Sequence, residues 1–470
     1  LSASFIPVYA RLLAEGDRKE AARVAGAVAA LLGLVTSALV LLGVLATPWL
    51  IDLIAPGFEG AKRELTIRLV RILFPGMGLL VLSAWCLGVL NSHRRFLLSY
   101  TAPVVWNVAI IATLVVFGRE VSGFELAEMA AWGSVVGSGL QFMVQLPMVL
   151  RLLGALHFSL GSASQQLRTV VRNFVPVFFG RGVVQISAYV DTLLASLLPS
   201  GAVTGIANAQ ALYTLPVSLF GMAVSAAELP AMSGALGAES EVASYLRQRL
   251  NRGLRRIAFF VIPSGMAFLV LGDVIAAALF QTGRFVRADA VYVWAILAGS
   301  AIGLLASTLG RLYSSTFYAL RDTGTPLRFA IVRVSLGTGL GYLLALKGPA
   351  LAGIDARWGA AGLTAAGGVA AWVELTLLQR ALALRIGATG LKASHALRLW
   401  GAAACGAAVG FMLKIGIGAR HPVLVAIVVL GAYGLLYMGI TAALGVEEWR
   451  EIAARVPGLK KKEDPRRSVP

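Results

Sequence analysis

The chain has 470 residues, of which 58% are hydrophobic and 14% charged, with a mean hydropathy of +0.80. A soluble core cannot hide this much apolar surface, so the composition predicts a membrane protein and excludes an ordinary soluble enzyme. The formal net charge of +18 would suit a nucleic-acid-binding protein, but the loops in which the basic residues lie give a different explanation for the charge.

The hydrophobic segments predict an all-α, polytopic membrane protein. Twelve full spans are expected, in chain order at 21–49, 67–90, 101–118, 127–150, 170–199, 203–230, 257–280, 290–319, 326–346, 358–379, 399–416 and 421–445. Residues 1–10 look like the end of another span. Prolines such as Pro75 and Pro263 lie inside several spans, so we expect kinked rather than straight helices.

An internal repeat organises these spans. Short runs recur at an offset of about 223 residues, which is weak internal symmetry of the kind found in transporters. The matching residues are Ser2, Ala3, Pro7 and Pro103 in the first copy and Ser225, Ala226, Pro230 and Pro326 in the second. The second copy opens with spans 170–199 and 203–230, for which the first copy has no full counterpart. We therefore expect about two further spans to precede Leu1.

The basic residues follow the positive-inside rule. If the loop at 11–23 is cytoplasmic, alternate loops and the C-terminal tail hold 27 of the 41 Lys and Arg residues, and the opposite loops hold 9. This bias predicts a cytoplasmic C-terminus. The basic run from Lys460 then anchors the tail at anionic lipid in preference to binding nucleic acid, and no nucleic-acid partner is expected.

Catalytic and metal-binding patterns are absent from the sequence. The four histidines lie in different loops without metal-ligand spacing, and no nucleophile elbow or paired carboxylates occur. Cys86 and Cys405 stand alone in apolar spans, which is typical of buried small hydrophobic residues. The sequence therefore predicts a protein that is not an enzyme and has no metal or cofactor.

Charged residues inside the predicted spans are the main functional candidates, because an ionised side chain at the bilayer centre costs roughly 2.5 to 3.5 kcal/mol. Arg181, Gln185 and Asp191 share the predicted span 170–199. On a helix, Arg181 and Asp191 are about 15 Å apart along the axis and about 80° apart around it, so both can face one water-filled interior. The alternative is a structural ion pair with a neighbouring helix.

Other polar residues in the spans are weaker candidates. Asn107, Asn208 and Gln210 either line a polar pathway or bond one helix to another. Substrate binding is predicted at Arg181, Gln185, Asn208 and Gln210. Arg68 and Arg71 either reach the membrane interface or face a cavity, whereas Arg311, Arg333 and Glu374 are expected to pair within the second half. The stretch from Glu241 to Arg256 predicts an amphipathic helix on the cytoplasmic face.

Several longer runs carry a resemblance to a known family. In the first half these are SASFIPVYARLLAEGD, LIAPGF, RLVRILFP and GVLNSHRRFLLSYTAPVVWNVAII, and in the second QISAYVDTLLAS, LYTLPVSLFGMAVSAAELPAMS and LFQTGRF. Their order and spacing resemble the MurJ/MviN lipid II flippases of the multidrug/oligosaccharidyl-lipid/polysaccharide exporter superfamily. The resemblance covers nearly the whole chain.

The resemblance implies two pseudo-symmetric six-helix lobes that face each other, followed by two additional C-terminal helices. The N-terminal lobe would be residues 1–152, without its first helix and most of its second, and the C-terminal lobe 165–385. The added pair would be 396–445 and the basic cytoplasmic tail 446–470. The implied activity is flipping of lipid II, the undecaprenyl-pyrophosphate-linked peptidoglycan precursor, from the inner to the outer leaflet of the bacterial cytoplasmic membrane by alternating access. Membrane lipid and cell-wall synthesis proteins would be further partners.

The resemblance also bears on single residues. A functional family arginine aligns with Ala211, so that charge is absent here. Asp191 resembles an acidic position associated with sodium, yet Gly337 and Gly341 stand where its partners would be. Asp191 is therefore either a lone ion or proton site, which would couple transport to an ion or to the membrane potential, or a partner of Arg181.

Three alternatives stay open at this point. The first two, a polysaccharide-precursor flippase and a drug or cation antiporter, belong to the same superfamily. An antiporter would favour carboxylates over arginines in its cavity, so Arg181 favours a flippase. The third is a non-transporting scaffold for cell-wall synthesis enzymes.

Overall fold

The computed structural model describes residues 5–121, 123–154, 168, 170–172, 174, 188–233, 238–320, 322–418 and 421–449. Throughout these ranges the regular structure is helical and contains no strand. The chain forms two compact units, Leu1–Leu193 and Leu194–Pro470. The all-α, polytopic fold predicted from the sequence is confirmed.

Up to residue 154 the first unit contains five helices. They are α1 (Ile6–Ala14), α2 (Arg18–Ile54), α3 (Gly60–Ser92), α4 (Phe96–Phe117) and α5 (Phe124–Leu153). The start of α2 is fixed by Asp17, whose side chain accepts a hydrogen bond of 3.0 Å from the Glu20 amide. The core joins α1 to α2, α3 and α5 through fully buried residues such as Phe5 and Val89.

Helical residues 188–196, here α6, contain the boundary between the two units, and the second unit continues with a long helix in three parts. These parts are α7 (Ala202–Pro216), a π-helical turn (Val217–Met222) and α8 (Ala223–Ser233). The π turn directly follows Pro216, which has no backbone N–H to donate and so disturbs the regular ladder. The predicted span 203–230 is therefore one continuous but irregular helix.

The rest of the second unit is built from long helices. They are α9 (Glu239–Phe280), α10 (Arg287–Ala319), α11 (Gly324–Tyr342), a π turn (Leu343–Lys347), α12 (Gly348–Ala352), a 3₁₀ turn (Ala356–Trp358), α13 (Gly359–Ile386), α14 (Ala393–Ile417) and α15 (Pro422–Ala443). α3 and α10, which occupy equivalent places in the sequence repeat, are both 33 residues long.

Ten helices in the described residues are long and apolar enough to cross a membrane. Nearly half of the predicted span 170–199 lies outside the described residues. The interrupted helix of α7 and α8 accounts for the other predicted span that is not among the ten. The domain boundaries inferred from the resemblance stay predictions.

The expectations for two further features differ from the structure. The predicted surface helix from Glu241 to Arg256 is the first part of the 42-residue α9, because nothing in the sequence breaks the helix before the membrane span. Its apolar side, including Leu250, is buried in the protein instead of facing lipid. Cys405 is exposed on α14, whereas Cys86 is buried as expected.

Two prolines inside helices leave carbonyl groups that side chains of neighbouring helices satisfy. Pro48 of α2 cannot donate to the Val44 carbonyl, and Arg71 of α3 donates its Nε–H there at 3.3 Å. Pro263 of α9 likewise frees the Phe259 carbonyl, which accepts a 2.6 Å hydrogen bond from the Tyr437 hydroxyl of α15. In lipid, where no water can replace such a bond, these contacts tie the helices together.

Candidate functional site

Helices α7 and α10 of the second unit run side by side in the same direction. The Tyr213 hydroxyl of α7 and the Ser307 hydroxyl of α10 are hydrogen-bonded at 2.6 Å. Gly205 faces Ile296, and Gly221, in the π turn that continues α7, faces Thr308. Because the contact positions rise together along both chains, the two helices are parallel neighbours over about four turns.

A polar stripe runs along the outer face of α7. Gln210 and Thr214 are exposed and lie one turn apart, and the Gln210 amide donates to the Thr214 hydroxyl at 3.3 Å. Ser218 continues the stripe one turn further. Asn208 is half-buried, and at 100° per residue it lies on a different side of the helix from Gln210. The two residues therefore do not share one polar face.

Arg311 is a cation on α10 beyond the end of this stripe, because Thr308 before it faces Gly221 and Thr316 after it contacts Met232 of α8. It is exposed although its neighbours Gly310 and Leu312 on α10 are buried, and it follows Ser307 by one turn. Eight residues separate it from the end of α10 at Ala319, which places its Cα about 12 Å inside the helix end. A guanidinium at such a depth is stable only where water or an anion reaches it.

A second arginine in the spans of this unit has a carboxylate partner. Arg333 of α11 and Glu374 of α13 form an ion pair at 3.2 Å, with the glutamate side chain only 11% exposed. The sequence placed Arg311 in the same group of pairing residues. The structure instead leaves Arg311 exposed on α10, so the two arginines have different surroundings.

Two arginines inside a predicted span of the first unit, Arg68 and Arg71, contact protein groups. Arg68 of α3 forms an ion pair with Glu128 of α5 at 2.8 Å, and Arg71 donates to the carbonyl freed by Pro48. Asn107 donates to the Pro103 carbonyl of its own helix at 3.3 Å. These side chains serve the packing of the first unit, although both arginines are also exposed.

Two predicted site residues, Arg181 and Gln185, lie outside the described residues, and their roles stay predictions. Asp191 is described and lies exposed on α6. Gly341 of α11 faces Leu363 and Leu194, so one position that the resemblance assigns to an ion ligand is packed against apolar side chains.

The sequence analysis named Arg311 only as a pairing residue and did not select it as a candidate binding residue. The signal that could have found it is a run of serines: Ser300, Ser307 and Ser314 recur every seven residues of α10, which is nearly two helical turns. Arg311 lies on the face that they mark. A polar face on an otherwise buried transmembrane helix indicates contact with water or with a polar ligand.

Comparison with known proteins identifies the same family by two routes. Residues 1–438 match the family described as lipid II flippase MurJ. The lipid II flippase MurJ of Burkholderia cenocepacia is 31% identical over 337 residues, which are 70% of this chain and 64% of that protein, so the match spans just under two thirds of that relative's length. A probable lipid II flippase MurJ of Rhizobium meliloti is 31% identical over 401 residues, which cover 82% and 70% of the two chains.

Solved structures show the same fold. A lipid II flippase MurJ in an inward closed conformation superposes with a TM-score of 0.76 at 20% identity, covering 96% of this chain and 88% of that one. An inward-facing multidrug resistance MATE family transporter of the MOP superfamily gives a TM-score of 0.57 at 15% identity, covering 82% and 86%. The multidrug transporter fold is thus shared more distantly.

Proposed function

The chain belongs to the lipid II flippase MurJ family, and on this basis we propose that it moves lipid II from the inner to the outer leaflet of the bacterial cytoplasmic membrane by alternating access. Family membership supports lipid II as the substrate, and the exposed Arg311 inside α10 is the observation in this chain that supports an anionic substrate. The positive-inside bias of the loops supports a cytoplasmic C-terminus. A transporter of this kind carries its substrate across unchanged and needs no catalytic residue or cofactor.

Arg311 is proposed to bind the pyrophosphate of the substrate. A pyrophosphate cannot cross hydrocarbon without replacement of its hydration, and a guanidinium offers paired N–H donors that fit phosphate oxygens. Gln210 and Thr214, on the exposed side of α7, carry amide and hydroxyl groups suited to the sugar and peptide parts of the headgroup.

Energy coupling is proposed at Asp191, whose exposed carboxylate can bind a proton or a cation. The predicted span around it also carries Arg181 and Gln185, which remain proposed substrate contacts on sequence grounds. Asn208 is the weakest of the proposed contacts, since it lies away from the Gln210 face. Membrane potential is the alternative driving force.

The test is Arg311→Gln in purified protein reconstituted with lipid II. Loss of a charge-assisted hydrogen bond, worth about 1.5–3 kcal/mol, should slow flipping roughly 10- to 100-fold while Arg311→Lys retains part of the rate. Arg328→Gln on α11 is the matched control, because that exposed arginine lies at the start of its helix, away from the polar face. Equal rates for Arg311→Gln and the control would refute the role of Arg311.

A further inference from the structure

A pocket of about 300 Å³ opens at the other end of the second unit, where α9 and α14 end and α10 and α15 begin. Under the topology predicted from the loop charges, this end faces away from the cytoplasm. Its polar lining comes from four side chains: Asp273, Gln281, Arg287 and Lys414. No part of the proposed polar face on α7 belongs to it.

An ion pair lies in the wall of this pocket. Lys414 Nζ of α14 and Asp273 Oδ2 of α9 are 2.6 Å apart, and their side chains are only 21% and 14% exposed. The second carboxylate oxygen, Asp273 Oδ1, is buried and receives no hydrogen bond from any described residue. A buried acceptor of this kind costs about 1–3 kcal/mol unless a donor reaches it. A ligand with a hydroxyl group would supply one.

The charge of the pocket favours an anion. Arg287, the first residue of α10, is exposed at the rim and adds a second cation to Lys414, against the single carboxylate. Lys414 lies in the last turn of α14, three residues before Ile417, and Asp273 lies seven residues before the end of α9. At 1.5 Å per residue these groups are about 5 and 10 Å from the helix ends, which places Lys414 within, and Asp273 just below, the roughly 5–8 Å headgroup layer on one side of the bilayer.

The remaining wall is apolar and continues onto the outside of the helices. Val274, Val291 and Ile415 line the pocket, and the side chains of Ile415 and Leu424 are 67% and 59% exposed. Polar groups at headgroup depth, next to an apolar surface of this kind, form a site for a molecule with an anionic head and acyl chains.

We propose that this pocket binds the headgroup of an anionic membrane phospholipid. Arg287 and Lys414 contact its phosphodiester, a headgroup hydroxyl donates to Asp273 Oδ1, and the acyl chains follow the apolar wall. Phosphatidylglycerol meets all three requirements, since it carries one negative charge and two hydroxyl groups. The site is separate from the proposed transport face and does not depend on the proposed function.

The experiment is native mass spectrometry of the delipidated full chain in detergent, titrated with phosphatidylglycerol. Arg287→Gln should weaken the first binding step at least fivefold. Arg284→Gln is the matched control, because Arg284 is also exposed, three residues earlier, but does not line the pocket. The double variant Asp273→Asn with Lys414→Gln removes the ion pair without stranding one charge, and it should bind phosphatidylglycerol and phosphatidylcholine alike.

Three outcomes would overturn the proposal. Equal loss in Arg287→Gln and Arg284→Gln would mean general electrostatic attraction. Equal binding of phosphatidylcholine by the unaltered protein would mean an apolar groove without headgroup recognition. Displacement of bound phosphatidylglycerol by inorganic phosphate at the same concentration would mean a free-phosphate site that has no use for the acyl chains.

Discussion

Replacement of Tyr437 by Phe tests how the last helix is held to α9. The Tyr437 hydroxyl, on a side chain that is 2% exposed, donates at 2.6 Å to the Phe259 carbonyl, whose normal partner would be the missing N–H of Pro263. Hydrogen bonds between membrane helices average only about 0.6 kcal/mol, because lost partners are usually replaced. Here the proline removes the replacement, so the orphaned carbonyl should cost about 1–2 kcal/mol.

A second tyrosine supplies the comparison. Tyr433 donates to the Pro263 carbonyl, also at 2.6 Å, but that carbonyl keeps its place in the helical ladder four residues before Ala267. Tyr433→Phe should therefore cost less than about 1 kcal/mol. The assay is reversible unfolding in mixed detergent and dodecyl sulfate, with the free energy of unfolding compared among variants of equal expression.

The proline allows a direct check of the mechanism. In a Pro263→Ala background the residue at 263 regains its N–H and can donate to Phe259, so Tyr437→Phe should become nearly neutral. If Tyr437→Phe costs the same with and without Pro263, or costs no more than Tyr433→Phe, the orphaned-carbonyl reasoning is refuted.

Two further predictions concern other helix contacts. A Cβ at Gly303 of α10 would clash with the Gly368 backbone of α13, so Gly303→Val should sharply lower the yield of folded protein from detergent-solubilised membranes. Gly367→Val is the control and should not lower it, because Gly367 has open space around it. Equal yields for the two variants would contradict this prediction. Tyr9 Oη is 2.9 Å from His93 Nε2, and burial, followed by the nearby arginines, lowers the pKa of His93 below 6.5. Because the folded state then binds fewer protons than the unfolded one, the free energy of unfolding falls as the pH drops through 6.5. Protection of the α1 amides against hydrogen exchange, measured relative to the intrinsic rate at each pH, should therefore be lower at pH 5.5 than at pH 7.5. His93→Gln should remove this pH dependence.

Much of the architecture could be predicted from the sequence, because a hydrophobic run of membrane length leaves few alternatives to a helix. The position of Pro263 likewise indicated an irregular place in α9. Its partner Tyr437 could not be predicted, because that contact depends on the rotation of α15 against α9, 178 residues apart in the chain. Local sequence pattern carries no signal for such a register.

For the candidate site residues, too, the sequence predicted one part and only the packing showed the rest. The sequence showed that Arg311 and Arg333 lie inside spans, and hydropathy alone made both unusual. Only the packing of α7 on α10 and of α11 on α13 distinguishes the exposed cation from the paired one. The pocket at Asp273 and Lys414 was missed for the same reason, since each residue alone resembles an ordinary charge near a helix end.

The most direct test of the account is transport itself. Vesicles containing the purified protein and lipid II in both leaflets are exposed to a membrane-impermeant enzyme that removes the headgroup. We predict that the accessible fraction rises beyond the outer-leaflet share with time and in proportion to protein, and that this rise is lost in Arg311→Gln. If folded, reconstituted protein leaves the accessible fraction at the outer-leaflet share, the proposed flippase activity is contradicted and a non-transporting scaffold becomes the better explanation.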